Sequence, residues 1–237
     1  MPGRRVDVLA FLDERHINAV LFDLDGTLVD TAPDMVAVLQ AMQRDHGVKP
    51  IAYKRARLNV SNGALGLLRA GFPDIRAEFN SPLHVEYLER YEQRVCQDSV
   101  VFDGLDALLR RLEDAGCPWG IVTNKPERLT APLLDALNLA HRSACTVSGD
   151  TLPQRKPDAA PMLHACQLAG ILPAETICIG DAERDIQAGQ GAGMATIAAA
   201  YGYITDDDNP QRWGADRIAV DTVDLAQMVL KAVNLGP

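Results

Sequence analysis

Short runs of apolar and β-branched residues recur along the chain, each closing on a polar or aromatic residue: residues 19–25, 119–124, 176–181, 195–201 and 217–221. Runs of this length that do not alternate with polar residues are the pattern of strands covered on both faces, as in a parallel sheet. Between them, apolar residues fall at helical spacing: Leu105, Leu108, Leu109 and Leu112 ahead of Gly116, then Leu129, Leu133, Leu134 and Leu137. Strand and helix in alternation predict an α/β fold with a doubly wound, Rossmann-like parallel sheet.

One stretch departs from that rhythm. From residue 34 to 99 the chain carries helix signals and no strand signal. Thr31 and Asp34 have the spacing of a capping box; Met35, Val38, Leu39 and Met42 then share one helix face, and Gly47 marks its stop. A second helix is expected to start near Ser61-Asn62-Gly63, and a third to carry Leu88, Tyr91 and Val95. The expected organisation is a core domain of residues 17–33 and 100–237, a helical cap domain of residues 34–99 inserted after the first strand, and an N-terminal extension of residues 1–16.

Composition narrows the partners. A chain of 237 residues, 47% hydrophobic, has room for one substantial core and an insertion. Its 23 Lys and Arg against 32 Asp and Glu leave a formal charge of −9 without any long basic block, which argues against nucleic acid. An anionic ligand would meet a repulsive overall field, so its site must be made attractive locally by a metal ion, a lysine or backbone N–H groups. Cys96, Cys117, Cys145, Cys166 and Cys178 are odd in number and lack zinc-site spacing, as expected of buried reduced thiols. No apolar run approaches the ~18 residues of a membrane span, and the stretch after Arg4 and Arg5 is interrupted by Asp7 and by Asp13-Glu14-Arg15. A cytoplasmic protein without membrane association is expected.

The candidate chemistry sits at strand ends, where open α/β sheets bind ligands. The first strand delivers Asp23 and Asp25 around a turn at Gly26; the second ends in Thr123-Asn124-Lys125, whose hydroxyl and following N–H can hold phosphate oxygens. Lys156 precedes Pro157, expected at a first helical position, and can neutralise both a phosphate and an attacking carboxylate. The run ending at Gly180 delivers Asp181, with Asp185 a turn later. Magnesium takes hard oxygen ligands and keeps several waters, so Asp23, Asp181 and a backbone carbonyl near Asp25 would suffice to hold it. Alone, Asp25-Gly26 also reads as a polar turn, Thr123-Asn124 and Asp181/Asp185 as helix caps, and Lys156 as an exposed lysine before a helix.

Together and in this order, the segments resemble the signature of the haloacid dehalogenase superfamily of phosphatases: Asp-x-Asp-Gly-Thr, a strand-end Thr, a Lys before a helix, and Gly-Asp-x-x-x-Asp. The resemblance implies Asp23 as nucleophile forming an aspartyl-phosphate and Asp25 as the acid and base that serves the leaving alcohol and then the hydrolytic water. It further implies Thr123, Asn124 and Lys156 as phosphate-binding, and Asp23, Asp25 and Asp181 as the magnesium site with Asp185 in support. Ala182 stands where many relatives carry a small polar residue. Segments 119–126, 201–204, 208–210 and 213–216 are similar to phosphoglycolate phosphatases and, nearest of all, to N-acetylmuramic acid 6-phosphate phosphatases. Both substrates carry a carboxylate, for which Arg57, ahead of Ser61 and Asn62, is the candidate specificity residue.

The implied protein is a monomer or homodimer acting on a small phosphate ester. A phosphatase of another sugar phosphate and a phosphomutase remain open. The dehalogenases of the superfamily need neither the acid nor the metal site, so Asp25, Asp181 and Asp185 argue for phosphate. A non-catalytic phosphate-binding regulator would lack a catalytic group, and none is missing. A dinucleotide-binding protein would place its glycines after the first strand, whereas the only glycine cluster is at Gly189, Gly191 and Gly193.

Overall fold

The computed structural model describes residues 16–235, so all but the last residue of the expected N-terminal extension lies outside the described residues, as does its reading as neither leader nor span. Six parallel strands form the main sheet in the order β5-β4-β1-β6-β7-β8. They are β1 (Ala19–Phe22), β4 (Trp119–Val122), β5 (Thr146–Val147), β6 (Thr176–Gly180), β7 (Ala195–Ala199) and β8 (Arg217–Ala219). Side chains alternate across the sheet: Val20 and Phe22 face one apolar cluster and Leu21 another. The first is completed by α5 (Leu105–Asp114), α6 (Glu127–Ala136) and α9 (Thr222–Ala232), the second by α7 (Ala160–Ala169) and α8 (Glu183–Gly191). This is the doubly wound α/β core expected.

From β1 the chain winds outward through β4 to β5, returns to β6 on the other side of β1, and winds outward again. The strand order therefore reverses between β1 and β6, which is where the crevice of such a sheet opens. β1, β4 and β6 stop short of their apolar runs, and the residues that follow present Asp23, Thr123 and Asp181 at the carboxyl edge. Among the described residues no helix is long and apolar enough to cross a membrane.

Between residues 32 and 92 helices are joined by loops without a strand: α1 (Ala32–Asp45), α2 (Tyr53–Arg57), α3 (Gly63–Gly71) and α4 (Pro82–Glu92). Met35, Leu39, Met42, Leu67, Leu68, Tyr87 and Tyr91 make a core of their own there. Entering and leaving chains are paired as β2 (Val29–Asp30) against β3 (Val100–Val101), an antiparallel contact too short to leave a sequence signal.

Three local expectations need correction. Thr31 and Asp34 do not form a capping box: the Thr31 hydroxyl makes no cap hydrogen bond. The buried Asp34 carboxylate instead accepts from the Asp98 and Ser99 N–H groups and the Ser99 hydroxyl, at 2.6–3.1 Å, and fastens the outgoing chain to the returning one. A carboxylate buried this deeply must find donors, and two crossing chains supply more of them than its own helix turn. Val95 lies beyond the end of α4, and Pro157 follows a cis bond in a turn, the next helix starting at Ala160 with Pro161 in its first turn.

Candidate active site

Asp23 is the first residue beyond β1, and its N–H still donates to Ile179 O of β6 at 2.8 Å, which holds its side chain at the reversal point of the sheet. Asp181 occupies the corresponding position beyond β6. Asp23, Asp181 and Asp185 are 6, 2 and 0% exposed, and one carboxylate oxygen of each lies within 4.8 Å of the others. Such an array is tolerated only where positive charge meets it.

Lys156 supplies part of that charge. Its ammonium donates to Asp23 Oδ1 at 2.6 Å and to Val122 O at 2.7 Å, and forms an ion pair with Asp185 Oδ1, also at 2.6 Å. Burial alone would strip the lysine of its proton; the Asp185 and Asp23 carboxylates outweigh that and hold its pKa well above the ordinary value. The Asn124 side chain orients it, donating to Lys156 O at 3.0 Å and accepting from Lys156 N at 3.1 Å. Asn124 can thus offer a phosphate its backbone N–H and the second proton of its amide.

The compensation is incomplete. Burial raises Asp23 to about 6 despite Lys156, and burial together with the charges of Asp23 and Asp185 raises Asp181 to about 7. Asp181 Oδ2 accepts from Tyr203 N at 2.8 Å and from the Ser61 hydroxyl at 2.5 Å, whereas Asp181 Oδ1 is buried without a partner among the described residues. An orphaned carboxylate oxygen beside a second buried carboxylate is a set of hard donors that fits a divalent cation.

Glycines make room for this arrangement. Gly26 adopts φ +89°, and a Cβ there would stand 2.2 Å from Asp181 Oδ2; one on Gly202 would stand 2.3 Å from Asp181 Cβ. The backbone thus reaches Asp181 from both sides only because these residues lack side chains.

Not every expected residue joins the cluster. The Asp25 carboxylate is not part of it, its Oδ1 accepting from Thr31 Oγ1 at 2.6 Å and Lys125 Nζ at 2.9 Å. Thr123 is buried with its hydroxyl accepting from Lys125 N at 3.1 Å. Above these groups opens a cavity of about 530 Å³, walled by Ser61, Asn62, Tyr87, Leu88 and Tyr91 of the helical layer and edged by Phe79, Arg128 and Arg155. Ser61 and Asn62 are thereby on the cavity as expected. Arg57 is not: it packs over the Tyr203 ring at 4.6 Å, with Asp30 3.9 Å away. Its short helix presents it to the loop after β7, a direction that spacing within residues 53–57 could not reveal.

Sequence reasoning passed over Lys125, Tyr91 as a polar group, and Arg155. Lys125 had a signal in plain view, a second lysine directly after a strand-end hydroxyl. Arg155 adjoins Lys156 and reaches the cavity edge with no ion-pair partner among the described residues, whereas Arg128 pairs with Glu92 at 2.6 Å.

Comparison with known proteins agrees with the fold. The family model described as haloacid dehalogenase-like hydrolase matches residues 17–193, and the chain belongs to that family. It is an enzyme of the phosphatase type within it. A protein of Pseudomonas aeruginosa named N-acetylmuramic acid 6-phosphate phosphatase is 43% identical over 219 residues, covering 92% of this chain and 97% of its own. A protein of Xanthomonas campestris pv. campestris named phosphoglycolate phosphatase is 44% identical over 202 residues, covering 85% and 91%. The crystal structure of a predicted phosphoglycolate phosphatase from Haemophilus somnus superposes with a TM-score of 0.78 at 24% identity, over 91% of this chain and 99% of that one, and shares the fold.

Proposed function

We propose that this phosphatase is magnesium-dependent and hydrolyses a small acidic phosphate ester through an aspartyl-phosphate on Asp23, with N-acetylmuramic acid 6-phosphate ranked ahead of 2-phosphoglycolate. The observation that carries the reading is the buried Asp23 carboxylate, bonded to Lys156 and lying beside the unpartnered oxygen of Asp181 at the reversal point of the sheet. The cation held by Asp23, Asp181 and the Asp25 backbone would neutralise phosphate charge and relieve the repulsion among the carboxylates.

The chain's own residues would then act as follows. Thr123 and the Asn124 N–H hold the phosphate oxygens, and Lys156 balances the charge of phosphate and nucleophile. Asp23 attacks phosphorus as the ester P–O bond breaks, and Asp25 gives a proton to the departing alkoxide. The ionised Asp25 next takes a proton from a water that attacks phosphorus, which releases phosphate and regenerates Asp23. Residues 34–99 serve as the cap, which excludes bulk water, over a core of residues 17–33 and 100–237. The five cysteines, none in a disulfide, fit a reducing cytoplasm.

Substrate rank rests on the cavity and the two substrate classes named in the relatives. A space of about 530 Å³ with aromatic walls exceeds what a phosphorylated two-carbon acid fills, and suits a phosphorylated amino sugar bearing a carboxylate near Arg155. The test is kcat/KM for N-acetylmuramic acid 6-phosphate, 2-phosphoglycolate and plain hexose phosphates. An advantage of about two decades, about 2.7 kcal/mol, is expected for the first; preference for 2-phosphoglycolate reverses the rank, and no turnover of any ester overturns the reading.

A further inference from the structure

Asp25, assigned both proton transfers above, is gripped at one oxygen only. Asp25 Oδ1 accepts from the Thr31 hydroxyl at the start of α1 and from the Lys125 ammonium beyond β4, while Oδ2 has no hydrogen-bond partner among the described residues and the side chain opens on the cavity. Lys125 is itself 8% exposed. Besides Asp25 it donates to the hydroxyl of Tyr91 at 2.9 Å, and its ammonium lies 4.6 Å from the centre of that ring.

A buried ammonium stays where its partners hold it, because losing one strands a charge in apolar surroundings. One partner of Lys125 belongs to the turn after β1 and the other to α4 of the helical layer. We infer that Lys125 is a positioning residue for proton transfer: together with Thr31 it locks Oδ1, so that Oδ2 alone meets the leaving oxygen, and Tyr91 completes the lock only when the helical layer is seated. The inference rests on the proposed role of Asp25 and adds Lys125 and Tyr91 to it.

A purely structural ion pair would serve every substrate alike, whereas an aid to the acid matters most where the leaving group needs a proton. The test therefore compares kcat/KM of the full chain on p-nitrophenyl phosphate, whose phenolate departs unaided, and on an alkyl phosphate, whose alkoxide does not. Lys125→Met is expected to lose about 100-fold on the alkyl ester and about tenfold or less on the aryl ester, within the range of general acid catalysis. Tyr91→Phe, which keeps the ring and the lysine, should show the same split more weakly, and Lys125→Arg should recover part of the alkyl activity.

Asp25→Asn is the reference. If it loses both esters equally, the acid role of Asp25 falls and the inference with it. If it shows the split while Lys125→Met and Tyr91→Phe lose both esters equally, or lose neither, the inference alone is overturned. Should Lys125→Met not fold, Tyr91→Phe decides by the same criterion.

Discussion

At the carboxyl edge of the sheet, Asp23, Asp181, Asp185, Lys125 and Lys156 are all buried. Across the cavity the helical layer presents Tyr87, Leu88 and Tyr91, backed by an apolar core of its own, while Arg128 and Arg155 at the edge come from the chain beyond β4. The floor is costly, since buried charges are held only by near-complete pairing, and a substitution there exposes an unbalanced partner. Apart from the Tyr91 hydroxyl the wall is cheap, since apolar contacts tolerate exchange at similar volume. One scaffold can therefore keep its reaction while its wall and rim choose among substrates.

The comparison breaks first at Asp23. Asp23→Asn preserves volume but removes the nucleophile, and a loss of about 10⁴-fold or more in kcat is expected on every ester; an aryl phosphate assay that finds wild-type turnover would reject the assignment.

Chelation comes next. Excess EDTA should stop turnover and added magnesium restore it, with a stability effect whose sign follows from the floor. Asp23 and Asp181 have folded pKa values raised from 3.8 to about 6 and about 7. Their contribution is thus most favourable below the unfolded value and is lost as pH rises through 6–7. Metal-free protein should lose stability from this pair on going from pH 5 to pH 8, and magnesium should raise Tm more at pH 8 than at pH 5.5. Calorimetry showing equal shifts at both pH values would remove these carboxylates from the metal site.

Lys156→Met should cost about 3–5 kcal/mol in urea unfolding by stranding Asp23 and Asp185, and magnesium should return part of it. Smallest is the rim: Arg155→Ala should raise KM for carboxylate-bearing esters about tenfold, the weight of one charge-assisted hydrogen bond, and leave hexose phosphates, which lack a carboxylate, unchanged. Arg57→Ala should alter either KM by no more than about twofold. A reversed result for the two arginines would return carboxylate recognition to α2.

Much of this architecture was legible in the order of residues. Four strands of the main sheet announce themselves as apolar runs because both their faces are covered, the edge strand β8 as a shorter run behind Arg217, and α1 and α5 by apolar spacing ended by glycine. β5 escaped notice: with two residues, it is a strand by virtue of hydrogen bonds to β4 and not of its own pattern. Asp34 misled because its spacing from Thr31 suits a local cap, while its real donors lie more than sixty residues away, at Asp98 and Ser99. Lys125 was visible as a residue, but its link to Tyr91 depends on how α4 lies over the strand ends.

By itself, the chain order determined which groups emerge from which strand ends, since alternation and run length decide that locally. Tertiary structure alone decided where those groups point. Asp25 turns toward Lys125, Asp185 toward Lys156, Arg57 toward Tyr203 and Arg155 toward the cavity edge. Electrostatic pairing of buried charges is a property of through-space distance, and two residues a hundred positions apart carry no mark of it until the sheet and the helical layer close on each other.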